Sequence, residues 1–98
     1  MMDELKVHRL VRREVRDAFD WYFVRDPRAA IRLLDEIWHG YGQIASYPHR
    51  WPVEVGNYRY FPLKHYPFRI IYRRQEEWIR IVAFAHAKRR PGYWKRRK

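Results

Sequence analysis

Two short apolar runs near the C-terminus, Pro67 to Tyr72 and Trp78 to Ala85, constrain this chain more than any other feature. Both are rich in Ile, Val and aromatic residues, and a polar RRQEE segment separates them. Runs of that length and composition, bounded by charged or turn-forming residues, read as a β-hairpin. The second run passes without a break into His86 and a basic tail, which holds seven Lys or Arg and no acid from His86 to Lys98. A sheet edge that ends in such a tail is a candidate site for phosphate or for an acidic partner. A merely solubilising end does not account for Pro91, Gly92, Tyr93 and Trp94 inside the run, since adjacent aromatics need something to pack against. Two fates are open to them. They fold back to cap the sheet, or Pro91-Gly92 turns the chain just after the last strand and projects them away from it.

Upstream, Leu5 to Leu10 is short and partly alternating, and reads as a first strand at a sheet edge. From Val11 the spacing becomes helical: Val11, Val15, Ala18, Phe19 and Tyr22 form one apolar stripe, opposite Arg12, Arg13, Arg16 and Asp20. This helix is expected to end near Arg25. Asp26-Pro27 then supplies an N-cap and a proline at the first helical position. The second helix is expected to place Ala30, Leu34, Ile37, Tyr41 and Ile44 on one face, flanked by Ile31 and Trp38. Gly40 and Gly42 weaken its last turns, where it is expected to fray or bend. Tyr47 to Asn57, with Pro48, Pro52 and Gly56, reads as a loop. Tyr58 to Leu63 reads as a strand that Pro62 confines to an edge or an end.

The expected order is β-α-α-β-β-β: one small α+β domain over residues 1–98, with a helical hairpin packed on a mostly antiparallel sheet and a basic tail at about 87–98. In the last strand, strict alternation groups Ile79, Ile81, Ala83 and Ala85 on the helix-covered side. Trp78, Arg80, Val82, Phe84 and His86 then share the other side. If Arg69, Ile71 and Arg73 of the preceding strand join that second side, one sheet face gathers several cations around a few apolar groups.

Composition narrows the function. The formal charge of +11, from 22 basic and 11 acidic residues in 98, points to a polyanionic or acidic partner. Aromatic residues reach 18%, more than a small core needs, so some are expected at an interface. The absence of Cys excludes a disulfide framework and any thiolate metal site. The five His are scattered, with no close pair on a helix face, and no glycine loop suits a phosphate, so no metal and no cofactor is expected. No apolar run approaches membrane-spanning length and MMDELKVHRL lacks the apolar core of a signal peptide, so no membrane partner and a cytoplasmic location are expected.

Few carboxylates converge, which disfavours two-metal nuclease chemistry. A metal-free ribonuclease needs a proton-transfer group near the 2′-hydroxyl and leaving oxygen, with cations to neutralise the phosphorane. His86 with Arg69, Arg89 and Tyr93 are the candidates for that set. Each also has a structural reading: His86 as a strand-end hydrogen-bonding residue, Arg69 as a sheet-face ion pair. Arg59, Arg73, Arg80, Lys88, Arg90, Trp94, Lys95, Arg96 and Arg97 are candidates for binding a target or nucleic acid. For Arg59 the alternative is a pair with Glu54 or a helix carboxylate.

The stretches VHRLVRREVRDAFDWY, NYRYFPLKHYPFRIIY and IRIVAFAHAKRRPGYWKRR, in that order and spacing, resemble the ParE/RelE superfamily of bacterial toxin–antitoxin toxins, the ParE-like branch above all. The resemblance runs from about Leu5 to Arg97. It implies the toxin of a type II toxin–antitoxin pair, neutralised by a cognate acidic antitoxin in a hetero-oligomer. RelE-like members are ribosome-dependent mRNA endonucleases, and their central arginine would fall on Arg69, their later arginine on Arg89 and their terminal tyrosine near Tyr93. Their upstream lysine pair would fall on Tyr60 and Pro62, neither of which can act as an ammonium. A histidine at position 86 is at home in ParE-like sequences, which poison DNA gyrase instead. The resemblance therefore implies gyrase as the partner to be poisoned, with the ribosome and mRNA, or a non-toxic nucleic-acid-binding role, as alternatives.

Overall fold

A computed structural model describes residues 2–98. Strand β1 (Glu4–Val7) leads into helix α1 (Arg9–Arg25) and helix α2 (Pro27–Ser46), followed by β2 (Val53–Val55), β3 (Tyr58–Pro62), β4 (Phe68–Arg74) and β5 (Trp78–His86). The five strands form one sheet in the order β1-β5-β4-β3-β2, antiparallel except for the parallel pair of β1 with β5. Both helices cover one face. The mostly antiparallel α+β architecture is the expected one, with one strand more than anticipated.

The local chemistry explains the boundaries. The first strand stops at Val7 rather than Leu10, because His8 caps α1: its Nδ1 accepts the Leu10 N–H at 3.1 Å. Burial lowers the His8 pKa, and Arg97, Arg80 and Arg9 push it further down, so the cap keeps its lone pair. Between the helices, Asp26 Oδ1 accepts the Arg28 N–H at 3.1 Å and Pro27 opens α2, as its sequence foretells. Helix α2 does not fray at its glycines. Gly40 is buried where the helix crosses the sheet, and a Cβ there would stand 2.8 Å from Ile70 Cδ1 and 3.0 Å from Phe61, so the glycine permits close approach.

The expected loop at 47–57 contains β2. Val55 pairs with Tyr58 across a two-residue Gly56-Asn57 turn, with Gly56 at φ 56°. Pro52 and a register shift keep this edge strand short.

The core under the helices gathers Val11, Leu33, Ile37, Ile44, Phe61, Ile70, Tyr72, Ile79, Ile81 and Phe84. Each such side chain, fully buried, contributes roughly 1.5–3 kcal/mol of transfer free energy. On α2 the buried positions are Ala30, Leu33, Ile37, Gly40, Ile44 and Ala45. Leu33 replaces the expected Leu34, and Leu34 and Tyr41 turn to the flank.

The strict alternation expected of the last strand fails at one residue. Ile71 pairs with Ala83 but Tyr72 pairs with Ile81, so Val82 is an extra residue and the strand bulges there. Before the bulge Ile79 and Ile81 face the helices; after it Phe84 does, while Ala83 and Ala85 join Ile71 on the other face. That second face is closed by the tail: Trp94 is wholly buried against Ile71, Val82, Ala83 and Ala85. The expectation that the aromatics project away from the sheet is therefore corrected for Trp94, which folds back.

Candidate functional site: the basic tail and the helical groove

The candidate residues do not gather at one site. At the start of β4, Arg69 reaches across to β2 and makes a fork to Glu54, with Nε at 2.9 Å from Oε1 and Nη2 at 3.0 Å from Oε2. That hydrogen bonding raises the guanidinium pKa further. The carboxylate that holds it comes from β2, so the pairing expected for Arg59 with Glu54 does not form. Arg59 donates instead to the Trp51 carbonyl at 2.6 Å.

His86 does not join Arg69. The register sets Phe68 opposite His86 and Arg69 opposite Ala85, which puts the two side chains on opposite faces of the sheet. The bulge at Val82 is the cause. His86 lies against the Phe68 ring at 5.0 Å and its Nδ1 accepts the Lys88 N–H at 3.0 Å, the structural reading of a strand-end residue.

The tail is organised by Glu14, an α1 residue that is 11% exposed. Strand β1 pairs only with residues 78–81 of β5, which leaves the edge beyond Ile81 open. Glu14 Oε1 accepts the Phe84 N–H at 3.0 Å, and Arg97 donates to the Val82 carbonyl at 3.1 Å, so side chains close that edge. The same carboxylate receives Arg97 Nη1 at 2.9 Å and Nη2 at 3.1 Å, the Tyr93 hydroxyl at 2.6 Å, and Arg89 at 3.5 Å. Burial, and then the hydrogen bond to Glu14, push the Tyr93 pKa well above that of a free tyrosine.

Arg89, Tyr93, Trp94 and Arg97 thus anchor the tail, while Lys88, Arg90, Lys95 and Arg96 remain exposed on it. Sequence reasoning missed Glu14. The signal was present: it is the single acid among Arg9, Arg12, Arg13 and Arg16. The remaining candidates, Arg73 and Arg80, sit opposite each other on the tail-covered face of β4 and β5.

A further feature, on the helices, was legible only in pieces. Between α1 and α2, with Val7 of β1 at its floor, lies an open apolar groove of 420 Å³ lined by Val15, Phe19, Leu34, Ile37, Trp38 and Tyr41. Arg12 and Arg16 stand on its rim. Trp38 is 70% exposed, and Trp21, Phe23, Val24 and Ile31 are also exposed on the helices. Among the described residues no group of three or more His, Asp or Glu is placed to hold a metal ion, and no helix is long and apolar enough to cross a membrane.

The family of the ParE toxin of type II toxin–antitoxin systems, parDE, matches residues 5–91. This chain belongs to the ParE toxin family. The match spans β1 through β5 and stops at Pro91, so the Trp94 anchor lies beyond it. A chain of the chromosomal ParDE TA system from P. aeruginosa has the same fold, with a TM-score of 0.77 at 22% identity over 89% of this chain and 98% of that one. No curated protein matches the sequence. The ParE assignment makes this a type II toxin, and the helical groove and the exposed cations of the tail are two surfaces open to a partner.

Proposed function

We propose that this ParE-family toxin is held in check in the cytoplasm by a cognate acidic antitoxin seated in the α1–α2 groove, and that it poisons DNA gyrase. The groove carries the first half. A contiguous apolar strip with a tryptophan 70% exposed is an interaction surface rather than a stable exterior. Its rim arginines suit an amphipathic helix bearing Asp or Glu beside its apolar stripe. The charge surplus would speed encounter more than it tightens the complex. Co-purification from the native operon should give a complex that survives moderate salt. Leu34→Arg should weaken it at least tenfold while toxicity without antitoxin persists. Soluble, harmless protein that retains no partner would sink this reading.

The target rests on the tail. A metal-free ribonuclease needs free cations and a titrating group around one phosphate. Here Arg69 is forked by Glu54, Arg89 and Tyr93 face Glu14, and His86, which lines a pocket with Glu14 and Arg89, is on the opposite side of the sheet from Arg69. A phosphate would meet two carboxylates, which favours gyrase inhibition over ribosome-dependent mRNA cleavage. Lys88, Arg90, Lys95 and Arg96, presented on a turn that Trp94 fixes, are the residues for an acidic surface or DNA backbone. Purified toxin should inhibit supercoiling, and Lys95→Gln/Arg96→Gln should lose most of that inhibition with melting unchanged. If folded, toxic protein leaves supercoiling and DNA cleavage untouched but cuts ribosome-bound message, the target is the ribosome.

A further inference from the structure

The face of the sheet that the tail partly covers carries an arrangement that neither the groove nor the tail explains. Lys6 of β1 pairs in register with Arg80 of β5, which pairs in turn with Arg73 of β4, and Arg73 with Tyr58 of β3. Three cations therefore stand side by side on adjacent strands, about 5 Å from one to the next. Like charges directly opposite are destabilising in a sheet. Among the described residues none of the three is paired with an Asp or Glu: the acids that are paired, Asp3, Glu14, Glu36 and Glu54, hold Arg74, Arg97, Arg89, His65 and Arg69.

What the protein offers them instead is aromatic. Lys6 Nζ lies 4.5 Å from the Trp78 ring and Arg80 5.6 Å from the same ring, while Arg73 lies 5.8 Å from Tyr58. With its amide turned to satisfy both ends, Gln75 accepts from Arg73 Nε at 2.9 Å, and Arg80 donates to the Lys98 main-chain oxygen at 2.9 Å. The Nε of Arg80 is buried without an acceptor. Aromatic rings and an amide orient cationic side chains without neutralising them.

We propose that this row binds the phosphates of a single-stranded nucleic acid, with Trp78 beside the row as a stacking surface for a base. Cations tracking a backbone beside aromatic planes are the usual composition of a single-strand site. The surface is the face of a five-stranded sheet, too wide to enter a duplex groove that admits one helix or a two-stranded ribbon. A strand lying across β1, β5 and β4 meets each cation in turn. The row is separate from Arg69, which lies four residues back along β4, about 13 Å away, and is already held by Glu54. The inference stands on the sheet register and the partners of the three cations, and is independent of whether gyrase is the target.

The test is anisotropy of a labelled 20-nucleotide oligo(dT) with the full chain across a salt series. The wild type should bind, with the logarithm of affinity falling linearly with the logarithm of salt. Each phosphate contact on a single strand contributes about 0.7 to that slope, so Lys6→Gln/Arg73→Gln should reduce it by about 1.4 and weaken binding at least tenfold at low salt. Lys88→Gln/Arg90→Gln removes the same charge from the tail and should change the slope by less than half as much. Arg69→Gln should leave it unaltered. Equal losses from the row and tail variants would mean diffuse attraction and would overturn the site. So would tighter binding of a duplex of the same length, or displacement by a poly-glutamate peptide as effective as by oligo(dT) of equal charge. Thermal melting of each variant separates lost binding from lost folding.

Discussion

The two faces of the sheet are closed by different means. Under the helices the core is aliphatic and aromatic, set by stripes on α1 and α2 against Ile70, Tyr72, Ile79 and Ile81. On the other face a smaller cluster of Ile71, Val82, Ala83 and Ala85 is closed by one residue, Trp94, from a tail of turns. The first closure is distributed over many side chains, none of them charged. The second depends on one indole and one carboxylate, since Glu14 holds the segment on either side of it. A surface closed by many contacts tolerates the loss of one, whereas a surface closed by a single anchor does not. The comparison also divides the charge surplus, because part of the basic tail is structural and part is free.

The largest expected effect follows from that dependence. Trp94→Ala should destabilise the protein by about 3–5 kcal/mol, the range for losing a buried aromatic, and toxicity and antitoxin binding should fall together. Thermal melting beside growth arrest measures both. A variant that melts like the wild type would show that the tail does not close the second face.

Glu14→Ala comes next. It strips the partners from a nearly buried Arg97, the Tyr93 hydroxyl and the Phe84 N–H, and breaking such a pair costs about 3–5 kcal/mol when burial is complete. The site is not fully sealed, so the lower end is expected, together with faster amide exchange of Phe84 and of the residues around Trp94. Exchange confined to α1, with the tail still protected, would break the picture of one carboxylate holding both.

The smallest effect concerns pH. The folded-state pKa of His8 is lowered, so its neutral form stabilises the fold, and that stability is present above the unfolded value of about 6.5. It is lost as pH falls below that value and through the lower folded pKa, because the unfolded chain takes up the proton first. His8→Asn keeps an N-cap acceptor without a titrating group. Denaturant melts at pH 7 and pH 5 should show a smaller loss for the variant than for the wild type. Equal losses would assign the pH dependence to other groups, though not to Glu36, whose contribution is lost only below the ordinary carboxylate range. Burial alone would raise the Glu36 pKa, but hydrogen bonds from the His65 side chain and the Lys64 and His65 N–H groups outweigh it and hold the carboxyl below its usual range.

Much of the architecture is local and was written in the chain. The α1 stripe from Val11, the Asp26-Pro27 boundary and the strands around 58–62, 68–74 and 78–86 follow from periodicity and turn chemistry, each decided by residues within a few positions of one another. Even β2 had a signal, the Gly56-Asn57 pair between VEV and YRYFP, outweighed by the two prolines around it. The surplus of cations and the ParE-like succession of motifs were equally plain. What the sequence left open is what depends on register between distant strands. One extra residue at Val82 turns every later side chain of β5 over, so His86 parts from Arg69 while Lys6, Arg80 and Arg73 line up. Glu14 and Arg97 are 83 residues apart, and only the short reach of β1 explains why they meet at the open edge of β5. A bulge and an unpaired edge are properties of two strands together, so no single stretch of sequence carries them.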